Sequence, residues 1–161
     1  LVMFSSLSKR SNVPGMRSGF VAGDEKIIKK FLLYRTYHGC AMAPPVQTAS
    51  VAAWNDEAHV LDNRNQYREK FAACTPLIGE VLGTGMPDAS FYLWAKTPIA
   101  DTEFARGLLE HYNVVVLPGS FLAREIRGVN PGANFIRIAL VASLAECLEA
   151  TQRIRQFAQQ L

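Results

Sequence analysis

The stretch Ser6-Leu7-Ser8-Lys9-Arg10-Ser11-Asn12-Val13-Pro14-Gly15-Met16-Arg17 follows a short apolar run, Leu1 to Phe4, and is the most informative part of the chain. The apolar run is typical of a buried strand, so the polar side chains after it would meet at a strand end. Hydroxyls, a lysine and an arginine together can hold a phosphate through charge-assisted hydrogen bonds. A solvated basic loop is the alternative interpretation of the same residues.

Extended to Phe20, this stretch closely resembles the lysine motif of the fold type I pyridoxal-phosphate-dependent aminotransferases. In that family the motif lysine binds the cofactor covalently, while a serine three residues earlier and an arginine eight residues later bind its phosphate. The resemblance implies that Lys9 is the catalytic lysine and that Ser6, Ser8 and Arg17 bind pyridoxal phosphate. A desolvated lysine near cationic groups has a lowered pKa, which frees its amine as nucleophile and general base.

Arg137 is the second candidate, in the predicted strand Asn134 to Val141. Strand alternation places it on one face with apolar neighbours, where a charge needs an anionic partner. The residues alone leave a buried salt bridge to a protein carboxylate open. In the family, an arginine of the C-terminal strand binds the substrate α-carboxylate, and the preceding Asn130-Pro131-Gly132-Ala133 fits that region too. The resemblance implies this role for Arg137.

The resemblance extends over essentially the whole chain, including Pro87 to Trp94 and Val114 to Phe121. Within the family, the segments Tyr34 to Gly39 and Ala53 to Glu57 are most similar to the bacterial succinyl-diaminopimelate aminotransferases. Arg35 lies in a tyrosine-rich loop, where related enzymes place a side chain that reaches into the neighbouring subunit's site and meets the distal end of a dicarboxylic substrate. A surface salt bridge of Arg35, or a protonated His38 in the same role, stays open.

The fold expected from the resemblance is that of an α/β parent, the fold type I transferases. Residues 1–60 would be the end of the large cofactor-binding domain and residues 61–161 the whole α+β small domain, joined by a long helix over about 56–83. The family motifs for the pyridine nitrogen and the ring-stacking aromatic are not found before Lys9. The chain is therefore expected to be the C-terminal portion of the enzyme and inactive by itself.

Composition and charge exclude several classes of protein. A net charge of +3, with no basic run longer than two residues, argues against nucleic-acid binding. No apolar run reaches the roughly 18 residues that a membrane span needs. The three cysteines, Cys40, Cys74 and Cys147, have neither zinc-ligand spacing nor a disulfide pattern, which favours the cytoplasm and argues against a metal site.

Together these features predict a homodimeric transaminase of bacterial lysine biosynthesis. Its substrates would be N-succinyl-diaminopimelate or its 2-oxo acid, with glutamate and 2-oxoglutarate as the other pair. One alternative is another enzyme of the same fold, with a different amino-acid specificity or carbon-sulfur lyase activity. Others are a non-catalytic sensor domain fused to a DNA-binding module, and a folded fragment without activity.

Overall fold

The computed structural model describes residues 1–161, which divide into two compact units, Leu1–Asn65 and Gln66–Leu161. The strands are β1 (Val2–Ser6), β2 (Gly19–Gly23), β3 (Tyr92–Lys96), β4 (Leu117–Pro118) and β5 (Phe135–Ala139). The helices are α1 (Leu7–Arg10), α2 (Glu25–Tyr37), α3 (Pro44–Asn55), α4 (Ala58–Gly79), α5 (Asp101–Tyr112) and α6 (Leu144–Ala158). The assignment of the two units to the large and small domains of the family stays a prediction.

The first unit is built on an antiparallel pair of strands. Strand β1 pairs with β2 from Val2 opposite Gly23 to Ser6 opposite Gly19. The one-turn helix α1 and a 3-10 turn at Pro14–Met16 connect them. Asp24 then caps α2 by accepting hydrogen bonds from two backbone N–H groups of its first turn, as the sequence predicts.

The second unit packs its helices on a three-stranded antiparallel sheet in the order β3-β5-β4. In β3 and β5 buried and more exposed residues alternate, so one sheet face enters the core. Phe104 of α5 and Phe157 of α6 meet there with ring centroids 5.0 Å apart. Ser143 and Glu146 form a capping box that fixes the start of α6.

Some predicted elements differ in extent from the observed ones. The long helix expected over 56–83 is α4, which includes Pro76 and is a few residues shorter at both ends. Strand β4 has only two residues, because Val115 before it is solvent-exposed and makes no ladder with β5. The polar segment after β1 contains a helical turn, α1, that the sequence did not predict. Among all helices, none combines the length and the apolar character required to cross a bilayer.

Candidate active site

Lys9 lines an open cavity of about 650 Å³ in the first unit. Ser6, at the end of β1, and Arg35, on α2, line the same cavity. The structure thus brings three of the predicted site residues together. The remaining lining residues are mostly aromatic, small or basic, and no carboxylate is among them: Phe4, Ser5, Arg10, Gly19, Phe20, Val21 and Phe31.

Helix α1, the lysine turn, carries Lys9. Two of its other residues, Leu7 and Arg10, hold it in place. Leu7 is fully buried, and its backbone N–H donates to the Ser18 carbonyl at 3.1 Å. Arg10 donates from its guanidinium to the carbonyls of Ala53, at 2.9 Å, and Trp54, at 3.4 Å. Lys9 itself is exposed. The backbone on either side of this amine is therefore fixed by contacts that the amine does not make.

Arg17 and Ser8 are not among the residues that line the cavity. The Arg17 guanidinium donates to the Pro14 carbonyl at 2.8 Å, and its backbone has a φ of 51°, the left-handed region. Ser8 is half-buried in α1. The phosphate-binding roles implied for both residues stay predictions.

Arg35 lines the cavity, and its guanidinium forms hydrogen bonds with residues close to it in the sequence. It donates to the carbonyls of His38, at 2.9 Å, and Cys40, at 3.1 Å, which close the segment after α2. The His38 ring stacks on Tyr34 with centroids 4.8 Å apart. These two bonds occupy two of the five guanidinium donors, so Arg35 retains donors for an anion.

Arg137 lies in the second unit, on the sheet face that is turned away from the core. Its cross-strand partners are Trp94 on β3 and Leu117 on β4. The guanidinium lies 5.3 Å from the ring centroid of Tyr92, a cation–π contact, and forms no salt bridge with a protein carboxylate. The buried ion pair that the sequence left open is absent, and the charge is half-buried beside aromatic rings.

The loop before β5 is tied to the start of α5 by Asp101. This buried carboxylate accepts hydrogen bonds from the backbone N–H of Ser120, at 2.8 Å, and of Asn134, at 3.2 Å. Burial acts to raise the pKa of the Asp101 carboxyl, but the bonds from Ser120 and Asn134 outweigh it and hold the pKa below its usual value. Asp101 thereby fixes the backbone three residues before Arg137.

The comparisons with known proteins identify the family of the chain. The sequence profile described as Aminotransferase class I and II matches residues 1–154. The chain belongs to this aminotransferase family. The sequence is 34% identical over 96% of the chain to a probable aminotransferase of Mycobacterium tuberculosis, of which it covers 35%.

Two solved structures of aminotransferases resemble the chain closely. An aminotransferase from Neisseria meningitidis is 57% identical with a TM-score of 0.90, covering 97% of this chain and 40% of that one. A probable N-succinyldiaminopimelate aminotransferase from Thermus thermophilus is 33% identical with a TM-score of 0.83, covering 97% of this chain and 41% of that one. This chain thus spans less than half the length of each of these aminotransferases.

Family membership confirms the predicted fold class, that of the fold type I transferases. It also confirms pyridoxal phosphate as the cofactor of this aminotransferase family. The lining of the cavity fits that molecule, an aromatic aldehyde that carries a phosphate. Lys9 offers a primary amine, Ser6 a hydroxyl and Arg35 a guanidinium, and no lining carboxylate would repel the phosphate.

Two residues to which the motifs give no role hold candidate site residues in place, one in each unit. Arg10 anchors the lysine turn to the end of α3, and Asp101 anchors the loop before Arg137. The only sequence signal for Arg10 is an arginine directly after the motif lysine. The signal for Asp101 is an acidic residue in the first turn of a predicted helix, which normally indicates only a helix start.

Proposed function

We propose that the natural full-length protein is a pyridoxal-phosphate-dependent aminotransferase. The observation that carries this proposal is the cavity in which the Lys9 amine, the Ser6 hydroxyl and the Arg35 guanidinium come together without a carboxylate. Lys9 would hold the cofactor, and Ser6, Ser8 and Arg17 would bind its phosphate. Membership of the class I and II family supports this assignment, as does the resemblance of Lys9, Ser6 and Arg17 to the lysine, serine and arginine of that family's lysine motif.

The reaction exchanges an amino group between an amino acid and a 2-oxo acid. One amino acid becomes its 2-oxo acid while a second 2-oxo acid becomes an amino acid, so atoms and electrons balance without an external oxidant. The cofactor, when bound, supplies the carbonyl that accepts the amino group and the ring that withdraws electrons from Cα. Lys9 takes the proton from the substrate Cα and returns a proton at the end of the transfer.

Arg137 would bind the α-carboxylate that all amino-acid and 2-oxo-acid substrates share. A guanidinium offers a planar pair of donors that matches a carboxylate in a bidentate arrangement. Two observations support this role: Arg137 has no protein carboxylate partner, and its charge lies at the half-exposed face of the sheet beside the Tyr92 ring. A cation that is only partly hydrated and lacks an ion pair is available to an anionic ligand.

For the substrate we propose N-succinyl-diaminopimelate and its 2-oxo acid, with glutamate and 2-oxoglutarate as the other pair. The motif segments around Arg35 and Trp54 support this choice, as does the likeness to the Thermus thermophilus protein. Arg35 would meet the terminal succinyl carboxylate, since it lines the cavity with Lys9 and retains unused donors. The reaction would then belong to bacterial lysine biosynthesis in the cytoplasm.

We also propose a homodimer in which residues 1–60 end the large domain and residues 61–161 form the small one. The exposed apolar surface of α2 supports a covering partner or segment in the complete assembly. Leu32, Leu33 and Tyr37 of that helix are 67%, 62% and 84% exposed. Monomeric soluble proteins rarely leave so many neighbouring apolar side chains in water.

The assignment of Lys9 is tested by chemical labelling of the natural full-length protein. Pyridoxal phosphate should give a visible absorption band, and borohydride should fix the cofactor onto Lys9, as located by peptide mass spectrometry. Lys9→Ala should abolish the band, because no other primary amine lines the cavity. Lys26→Ala, on the exposed surface of α2, is the control and should leave the band intact. Labelling of Lys26, Lys29 or Lys30 in its place would overturn the proposal.

The substrate assignment is tested by comparing succinylated with unmodified diaminopimelate as amino donor. The wild type should prefer the succinylated compound, and Arg35→Ala should reduce that preference. The reduction should be about tenfold, because one charge-assisted contact to the distal carboxylate is lost. Lys30→Ala removes an exposed positive charge from the same helix and should not alter the preference. An unchanged preference in Arg35→Ala would remove Arg35 from the substrate site.

A further inference from the structure

Arg10 makes more contacts than its place beside an exposed lysine would suggest. Its side chain is only 14% exposed. Its guanidinium donates to the Ala53 and Trp54 carbonyls, forms an ion pair with Glu57, and lies 4.9 Å from the ring centroid of Trp54. These partners are more than forty residues away along the chain. Arg10 is therefore a clamp between the lysine turn and the end of α3.

The C-terminal end of α3 requires hydrogen-bond donors, and Arg10 supplies two of them. The last carbonyls of a helix have no intrahelical donor, and the C-terminal end carries a partial negative charge. Ala53 and Trp54 belong to that last turn. Arg10 supplies two donors and a positive charge there. Glu57 balances the charge, so the clamp adds no net cation to the unit.

The lysine turn itself is too short to be stable without such contacts. Helix α1 has four residues, and a single helical turn fixes several backbone dihedrals for very few hydrogen bonds. Its two anchors are the buried Leu7 side chain and the Arg10 clamp, which flank Lys9 on both sides. Removal of Arg10 takes away one of these two anchors of the turn that carries Lys9.

We propose that Arg10 is a positioning residue: by clamping α1 onto the end of α3, it holds the Lys9 amine where it captures pyridoxal phosphate. This inference rests on the proposed role of Lys9. Arg10 also lines the cavity, and the function assigned here acts through its bonds to two backbone carbonyls. The contact of Trp54 with Phe20, at 5.1 Å between centroids, continues the clamp to a residue of the cavity wall.

The test uses the natural full-length protein and pyridoxal phosphate as the probe. The measurements are the dissociation constant of the cofactor, the pH midpoint of its visible band and the thermal unfolding midpoint. Arg10→Gln should weaken cofactor binding by about tenfold and shift the pH midpoint, because a displaced amine changes its surroundings. Arg10→Lys should recover only part of the affinity, since an ammonium group cannot fork to two carbonyls. Arg64→Gln, an exposed arginine of the same unit, is the charge-matched control and should behave as wild type.

The double variant Arg10→Gln with Glu57→Gln separates geometry from charge, because it removes both members of the ion pair. It should bind the cofactor as weakly as Arg10→Gln alone. If Arg10→Gln fails to fold, Arg10→Lys decides the question by itself. Normal binding and a normal pH midpoint in Arg10→Lys and in any folded Arg10→Gln would overturn the inference, provided that Lys9→Ala abolishes the band. Persistence of the band in Lys9→Ala would instead overturn the proposed function.

Discussion

The two compact units hold their candidate site residues by different means. In the first unit only two apolar side chains are buried, Leu7 and Val60, and Lys9 depends on polar anchors such as the Arg10 clamp. In the second unit fifteen apolar side chains form one buried cluster beneath the sheet that carries Arg137. The lysine is thus placed by a few directional bonds, and the arginine by a packed core.

This difference has a consequence for stability. Burial of apolar surface is the dominant favourable contribution to folding, whereas a hydrogen bond adds little net stability. A two-stranded hairpin is marginal in water unless it is packed against further structure. The second unit therefore has a buried apolar core of its own and is expected to fold independently. The first unit, with its many exposed apolar side chains, has no comparable core.

The largest expected effect comes from separating the two units. Residues 66–161 expressed alone should unfold cooperatively on heating, because the whole buried cluster lies within them. Residues 1–65 expressed alone should show no cooperative transition by circular dichroism. Cooperative unfolding of residues 1–65 would contradict the difference in stability between the two units, since two buried apolar side chains do not explain it.

A cavity in the core of the second unit should have the next largest effect. Phe104 is fully buried against Phe157, so Phe104→Ala should lower the free energy of unfolding by about 3–5 kcal/mol in urea denaturation. Leu109→Ala, at a half-exposed position on the same helix, is the control and should cost far less. Equal losses in the two variants would mean that this cluster does not dominate the stability of the unit.

Local signals in the sequence mark the starts of two helices. Asp24 marks the start of α2 and Ser143 that of α6, because side-chain caps act over three residues and are visible in a short window. Helix α1 was missed for the opposite reason. Its stability comes from Leu7 and Arg10 contacts with distant residues, which no local pattern encodes.

The candidate site was predictable where a family motif carries it. Lys9, Ser6 and Arg137 follow from their motifs, and alternation along β5 correctly placed Arg137 on the face opposite Ile136. Arg10 was missed because its partners are backbone carbonyls, which have no sequence signature. Trp94, an aromatic residue of β3, is 37% exposed and stacks on Phe135 beside Arg137. Aromatic content alone does not decide which face of a strand is buried.

The proposed binding of the substrate α-carboxylate by Arg137 is tested by the activity of a variant. In the natural full-length protein, Arg137→Lys should lower kcat/KM for amino donors by about two to three orders of magnitude, roughly 3–4 kcal/mol of transition-state binding. The reason is that an ammonium group keeps the charge and loses the paired donor geometry. Unfolding of the variant should be nearly unchanged, because Arg137 has no ion pair to lose. Normal kinetics with a lowered thermal midpoint would assign Arg137 a structural role.

The smallest effect should come from Asp101, the polar anchor of the second unit. Asp101→Asn places an amide N–H₂ against one of the two backbone N–H groups that now donate to the carboxylate. One buried donor then lacks an acceptor, which should cost about 1–3 kcal/mol at neutral pH. The well-packed core should limit the damage to the loop before β5. Loss of Arg10, by contrast, removes one of the two anchors of the lysine turn. The reason for the difference is that a few directional bonds hold Lys9, whereas a packed core holds Arg137.

The Asp101 contribution should also depend on pH. Because the pKa of Asp101 is lowered in the folded state, its stabilisation is fully present above its ordinary pKa near 3.8 and is lost as the pH falls through the folded value. The difference in unfolding free energy between wild type and Asp101→Asn should therefore be largest near pH 7 and shrink below about pH 4. Urea denaturation across this range measures it, with Glu103→Gln, an exposed acid in the same helical turn, as the control. A gap that stays constant with pH would show that the charge of Asp101 does not stabilise the loop, leaving only its shape to account for the anchor.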